Sequence, residues 1–395
     1  MLTAIDDYST MEFSNRYEEL SINSVVDFAR PFLSGEPLGA SDISDGNINM
    51  VFRVVGERSS VIVKQALPYL RVAGRAWPLT RHRIDTENSA FLIHNSLVPS
   101  VMPEILHFDR EMCAIVMEDL RGFQPWREAL IQGRDSQHVA PVIAEYCSSI
   151  LVQTSDLVLS EAEQQDLRRK FYYTELCLVT EELFFTAPYL DNKTNRFDSE
   201  LSGLVAELQS DDALRGAASE MRTIFKTKDQ ALIHGDLHSG SVMISDDQTR
   251  IIDLEFAFYG PFGFDLGVLF ANLALARISH SALENTAYCS VIDNCATEIW
   301  EAFVSNLHAL SVQYSFDAAK FIDDMQHDMY RFAGMEMIRR IVGLAHAKEI
   351  DLLPNSIRFH AQQTAITNGK VLLVDSTGLD FKQFWQTATR EAINL

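Results

Sequence analysis

Asp236 sits in the string His234-Gly235-Asp236-Leu237-His238-Ser239-Gly240-Ser241, and two more acids follow in Ile252-Asp253-Leu254-Glu255-Phe256. A loop Asp, a hairpin turning at Asp246-Asp247 and a second acidic group 17 residues after the first are suited to phosphoryl transfer from a nucleotide. Such a transfer asks a protein mainly to position groups and offset charge, so one carboxylate must orient the attacking hydroxyl while others hold Mg²⁺ on the phosphates. Asp236 is the candidate for the first role. Mg²⁺ takes hard oxygen ligands, and acids two residues apart on an extended segment point to one side, so Asp253 and Glu255 are expected to share a metal. A plain hairpin with solvated acids would need the whole string and its spacing to arise by coincidence.

A nucleotide needs further groups, and they occur upstream in a workable order. Asp45-Gly46-Asn47-Ile48-Asn49 is a turn-forming string that could cover phosphates with backbone and amide donors, through Asn47 and Asn49, or be an ordinary tight turn. Lys64 ends the apolar run Val61-Ile62-Val63-Lys64, where an ammonium can reach phosphate oxygens. Glu87 is its expected partner, an ion pair that would orient the lysine. Glu118, Asp119 and Leu120, in Met117-Glu118-Asp119-Leu120, stand where a hinge would offer backbone groups to adenine, although a plain strand end reads the same way.

These groups must be carried by elements. From Met50 to about Leu120 the apolar alternation predicts strands in MVFRVV, SSVIVKQ, EILHF and CAIVMEDL, forming one antiparallel sheet. Thr80 to Leu97 lacks Gly and Pro and carries Ile84, Ala90, Phe91 and Ile93, which predicts a helix packed on that sheet. Beyond Arg121 the pattern is mainly helical, notably over 139–157, 297–310 and 318–349, with a short strand pair within 232–256. The expectation is an α+β, bilobal chain: a small antiparallel-sheet N-lobe over residues 1–120 and a larger, mainly helical C-lobe over 121–395.

At 395 residues the chain exceeds the usual limit of a single core, which agrees with two lobes. Its net charge of -22 argues against nucleic acid as a partner. Cys113, Cys147, Cys177, Cys289 and Cys295 are odd in number and widely spaced, as in a reduced cytoplasmic protein without a zinc cluster. The first 17 residues carry Asp6, Asp7 and Glu12 and no apolar run, so no signal peptide is expected, and no stretch is long enough to suggest a membrane span.

Taken together, DGNIN (45–49), VKQALPY (63–69), WPLT (77–80), MEDL (117–120), HGDLHSGS (234–241), EFAFYGPFGFDLG (255–267) and IRRIVGLAH (338–346) resemble the methylthioribose kinase family. These are relatives of aminoglycoside and choline kinases, with a protein-kinase-like fold, that phosphorylate 5-methylthioribose at its anomeric hydroxyl in methionine salvage. The resemblance implies ATP and Mg²⁺ as cofactors, a homodimer, and sugar-binding roles for Trp77, Asp236, Arg339 and Arg340. Many superfamily members have Asn five residues after the catalytic Asp; here that position is Ser241, and Glu255 is expected to supply the missing ligand. Arg339 and Arg340 also follow from physics, because adjacent guanidiniums in a mostly apolar helical stretch, 333–347, need substrate, phosphate or a structural carboxylate. Asp265 is expected to cap a helix, and His234, His238 and His346 to orient loops. Two departures bear on the substrate: Arg75 and Ala76 replace the acid and hydroxyl of the usual VGESWPL, and Leu254 replaces the common DPE proline, on an extended strand that would turn it away from the acids. A kinase of a related 5-deoxypentose, an aminoglycoside, choline or homoserine, or a nucleotide-binding pseudokinase, are the competing readings.

Overall fold

The computed structural model describes residues 16–44, 48–71, 74–172 and 174–391, so Asn47 and the start of the DGNIN string lie outside the described residues. The N-terminal part begins with helix α1 (Ile22–Ala29), whose first turn is closed by reciprocal hydrogen bonds between Ser21 and Ser24. A five-stranded antiparallel sheet follows, built from β1 (Pro37–Asp42), β2 (Met50–Gly56), β3 (Ser60–Gln65), β4 (Ile105–Asp109) and β5 (Ala114–Glu118) in the order β1-β2-β3-β5-β4. Alternate residues of β2 and β3, Phe52, Val54, Val61 and Val63, pack with Val25 and Ala29 of α1 on one face. The other face, with Ile115, Met117 and Ala66, receives Ile84 of helix α2 (Arg83–Leu97).

Strand β1 escaped the sequence reading because PLGASD has none of the β-branched or aromatic residues that mark a strand. It is an edge strand whose ladder to β2 supplies what propensity does not. Helix α2 starts at Arg83 and not at Thr80, since Thr80 Oγ1 accepts the His82 N–H and holds the preceding residues in a turn.

The C-terminal part adds β6 (Gln124–Pro125), α3 (Trp126–Gln132), α4 (Val139–Gln153), α5 (Glu161–Lys170), α6 (Glu175–Thr180), α7 (Ser202–Ser210) and α8 (Asp212–Thr227). Then come β7 (Ala231–Ile233), β8 (Val242–Ile244), β9 (Thr249–Ile251), β10 (Phe258–Gly260), α9 (Phe264–Ala282), α10 (Thr286–Tyr314), α11 (Ala318–Val342), α12 (Lys348–Asp351), α13 (Asn355–Asp375) and α14 (Phe381–Thr389). The expected strand pair is the β8/β9 hairpin, turned where the Ser245 N–H meets Gln248 O. Short strands β6 and β10 extend the pairing, to β8 and β7 respectively. The helix expected over 318–349 is two helices, because Gly343 closes α11 by returning its N–H to Arg339 O. Helices α9, α11 and α13 form the core of this part. Gly334 and Gly369 let α11 and α13 touch backbone to backbone: a Cβ on either would lie 2.5–2.6 Å from the other's carbonyl oxygen. All five cysteines are free and buried. No helix among the described residues is long and apolar enough to cross a membrane.

Candidate active site

Lys64 leaves β3 next to α2 and donates to Glu87 Oε1 at 2.8 Å, so the expected pair is formed between sheet and helix. The ammonium also contacts Asp253 Oδ1. Burial pulls the Lys64 ammonium down, but Asp253, Glu255 and Glu87 around it outweigh that and hold it firmly protonated. Burial likewise raises the Glu87 carboxyl, whose Oε2 is buried without a hydrogen-bond partner.

The two acids after the hairpin do not lie on an extended strand. Asp253 adopts φ 74°, ψ 50°, and residues Leu254–Phe256 form a 3₁₀ turn against α2. Asp253 therefore projects toward Lys64 with 41% of its side chain exposed, whereas Glu255 is buried and Leu254 joins the core. The acids are brought together by a left-handed residue and a turn in place of strand alternation. Glu255 Oε2 accepts from Asn49 Nδ2, and Asn49 Oδ1 in turn takes Arg83 Nε at 3.1 Å and Nη2 at 2.8 Å. Asn49 is thus committed to bracing Glu255, and Arg83, absent from the sequence reading, completes the brace. Burial, with repulsion from Asp253 and Glu87, pushes Glu255 up to about 8, whereas at Asp253 the cost of burial is overcome by Lys64, which holds it below the ordinary carboxylate value. Asp253 and Glu255 both line the cavity and offer the hard carboxylate oxygens that a divalent cation such as Mg²⁺ takes.

Strand β7 ends at Ile233, and the loop that follows carries His234 and Asp236. Asp265 near the start of α9 accepts the N–H of His234 at 2.7 Å and of Gly235 at 2.9 Å. Its carboxylate clamps this loop and makes no hydrogen bond that caps α9, which corrects the expected capping role. His234 and His238 do orient the loop. His234 Nε2 meets Ile252 O at 2.9 Å, while His238 Nδ1 accepts from the Gly240 N–H at 2.9 Å and so turns its other nitrogen toward Asp236 Oδ2, 3.6 Å away. Burial lowers His238 to about 4 against the attraction of Asp236, keeping the ring neutral and that nitrogen a donor. Ser241 turns inward, its Oγ donating to Asp236 O at 3.0 Å, so it braces the loop and does not replace the missing Asn.

Gly235 makes this loop possible, with φ +81° and a virtual Cβ only 2.1 Å from Phe256 O. Gly235→Ala is expected to cost more than the roughly 1–2 kcal/mol of the left-handed conformation alone, because backbone must move. Denaturant midpoint and turnover should fall together in that variant.

Arg339 and Arg340 occupy the last turn of α11, and the partner the sequence reading left open is found in the same helix. Glu336, fully buried, accepts from Arg339 Nε and, at 2.6 Å, from Arg340 Nε. Asn272 Nδ2 of α9 adds a hydrogen bond to Glu336 Oε1 at 3.2 Å. The i, i+3 and i, i+4 spacing of Glu336 to the arginines was legible and could have revealed it. Arg339 stacks over Phe184 at 5.0 Å and brings Nη2 to 3.9 Å from Asp236 Oδ1.

These groups line one cavity of about 510 Å³. Lys64, Glu87, Asp253, Glu255, Met117, Glu118, Asp119 and Leu120 line it together with Asp236, Arg339, Arg340, Val179, Leu183 and Phe184. The Asp119 carboxylate is held by Arg53 at 3.1 Å and by Ser60, and the Glu118 N–H goes to Glu104 O at 2.9 Å, so these side chains and that donor serve the fold. Trp77 does not line the cavity but packs behind it with Ile48, Leu70, Val179, Leu183 and Phe256. Arg75 points to solvent, 80% exposed, and pairs with Glu19 at 3.2 Å. An exposed pair of this kind is worth at most about 1 kcal/mol, so Arg75→Glu should leave turnover within about twofold. A large drop would show that this loop closes on substrate.

The sequence model of the phosphotransferase enzyme family matches residues 39–287. A methylthioribose kinase of Geobacillus kaustophilus (strain HTA426) is 39% identical over 355 residues, covering 87% of this chain and 89% of that one. The chain belongs to the methylthioribose kinase family. Another member, from Yersinia enterocolitica, is 35% identical over 385 residues, covering 93% of this chain and 96% of its own. The solved structure of a choline kinase from Cryptosporidium parvum Iowa II superposes with a TM-score of 0.50 at 12% identity, over 89% of this chain and 94% of that one, a likeness of fold alone. As a methylthioribose kinase family member the protein is an ATP-dependent small-molecule kinase, and its α+β, two-lobed fold is that of the protein-kinase-like enzymes.

Proposed function

We propose that the protein transfers the γ-phosphoryl group of ATP to the anomeric hydroxyl of S-methyl-5-thioribose. The observation that carries this reading is the meeting in one cavity of the Lys64–Glu87 pair and the Asp253 and Glu255 acids with Asp236, Arg339 and Arg340. Lys64, oriented by Glu87, draws the phosphates to its end of the cleft. Asp253, with Glu255 held by Asn49, would hold Mg²⁺, which supplies charge neutralisation on the phosphates. Asp236 orients the sugar hydroxyl, whose oxygen attacks the γ-phosphorus while the bond to the bridging oxygen breaks, ADP leaves, and the hydroxyl proton passes to Asp236. Transfer is direct, without a phosphoenzyme.

The arginines at the acceptor end favour a neutral polyhydroxyl acceptor over a cation such as choline or an aminoglycoside, and the apolar wall of Val179, Leu183 and Phe184 suits a thioether. Assembly as a homodimer and a cytoplasmic location belong to the same proposal, and light scattering of the purified chain tests the first. ADP release with Mg-ATP across methylthioribose, 5-deoxyribose, ribose, choline and an aminoglycoside tests the substrate. Selective turnover of methylthioribose is expected; turnover of another acceptor alone overturns it.

A further inference from the structure

We propose that a groove beside the C-terminal end of α11 is a second anion site, built to hold a phosphate group. The groove, about 520 Å³, is lined by Arg127, Arg196, Arg340, His346 and Lys348, with Asp351 as its lining carboxylate. It shares Arg127, Arg340, Leu344 and Ala345 with the cleft. Such a concentration of positive charge runs against a chain whose net charge is -22.

The carboxylates near the groove are shared among its cations. Glu128 serves both Lys348, at 2.7 Å, and Arg127, at 4.0 Å. Glu336 is divided between Arg340 and Arg339. Burial raises the carboxyl of Glu349, next to Arg340. Arg196 has no carboxylate partner among the described residues; its Nη1 donates to the carbonyls of Lys193 at 2.8 Å and Asn195 at 2.9 Å.

The site is also held in place. The Arg196 N–H donates to Val342 O at 3.0 Å, at the end of α11, and Arg196 O accepts from His346 Nε2 at 2.5 Å. His346 Nδ1 faces Asp351 Oδ2 at 3.2 Å, so both ring nitrogens meet oxygen acceptors and the imidazole is favoured as a cation. Planar guanidiniums on converging backbone elements match the oxygens of a phosphate dianion. Two sources share that chemistry: free inorganic phosphate, and the phosphorylated sugar formed next door. Only the second source rests on the function proposed above.

The test is calorimetric titration of the full chain with inorganic phosphate, without nucleotide or sugar, at ionic strength held constant with potassium chloride. Saturable binding is expected, weakened roughly tenfold or more in Arg196→Ala/Lys348→Ala, as the loss of charge-assisted contacts requires, with kcat at saturating substrates unchanged. Arg196→Lys, which keeps the charge but not the planar fork, should weaken binding less than Arg196→Ala and guards against a folding defect. Product inhibition by the sugar 1-phosphate distinguishes the sources: relief of it in the double variant assigns the site to product, and loss of phosphate binding without relief assigns it to the free ion. Equal binding of both anions by wild type and variant, or by neither, overturns the site. So does phosphate binding that ATP displaces and the substitutions leave unchanged, since that anion sits at Lys64. Turnover of methylthioribose is measured separately, so failure of the function and failure of the groove are distinct results.

Discussion

Asp236→Ala is expected to lower kcat by roughly 10² to 10⁴ while leaving ATP affinity close to wild type, the magnitude of a positioned base. The carboxylate lies 3.6 Å from His238 Nε2 and 3.9 Å from Arg339 Nη2, and it contacts neither Lys64 nor Asp253 and Glu255 by hydrogen bond. Removing it should therefore spare the surroundings of Lys64, Asp253 and Glu255. Asp236→Asn keeps the shape and loses the charge, so it should fall nearly as far. Single-turnover rates with ATP affinity measured by calorimetry separate the two effects; unchanged turnover would remove Asp236 from the chemistry.

Glu336→Ala carries the largest expected effect on stability, about 3–5 kcal/mol, because it strands the buried Arg340 guanidinium and the partly buried one of Arg339. Both arginines lose the hydrogen bonds that aim them at the cavity, so affinity for the sugar should fall further than affinity for ATP. The pH dependence has a defined sign. Burial would raise Glu336, but Arg339 and Arg340 overcome it and hold the carboxyl at about 2, below the ordinary carboxylate value. A group depressed on folding stabilises the protein fully above its unfolded pKa, and that contribution is lost as pH falls toward the folded value. Wild type should therefore exceed Glu336→Gln in denaturant midpoint most at pH 5 and above, with the gap closing between about pH 4.5 and 2. A gap that stays constant through this window would show that the carboxylate is not the source of the difference.

Much of this machinery was legible in the residues. Lys64 was placed at a strand end and Glu87 on the next helix, and the two meet because a short sheet with one covering helix leaves little freedom in how they face each other. The HGD string and the acids after the hairpin were recognisable from spacing, since β8 and β9 are short and joined by a tight turn. Edge strand β1 was not, because its residues carry no strand signal without the ladder to β2.

Roles that depend on distant partners were the ones misread. Asp265 stands 29 residues after Asp236, and whether it caps its own helix or clamps another loop is decided by how α9 packs against the end of β7. Asn49 looked like a phosphate donor, yet Arg83 and Glu255 take its amide from elements well removed in sequence. Asp253 and Glu255 converge through a left-handed residue, a conformation that local spacing does not announce for a non-glycine residue. Residue type and short-range spacing encode which chemistry is available and which elements carry it, because strand and helix periods are local properties of the chain. Which carboxylate faces which cation across 200 residues is set by burial, where an unpaired charge is costly enough for packing to choose its partner.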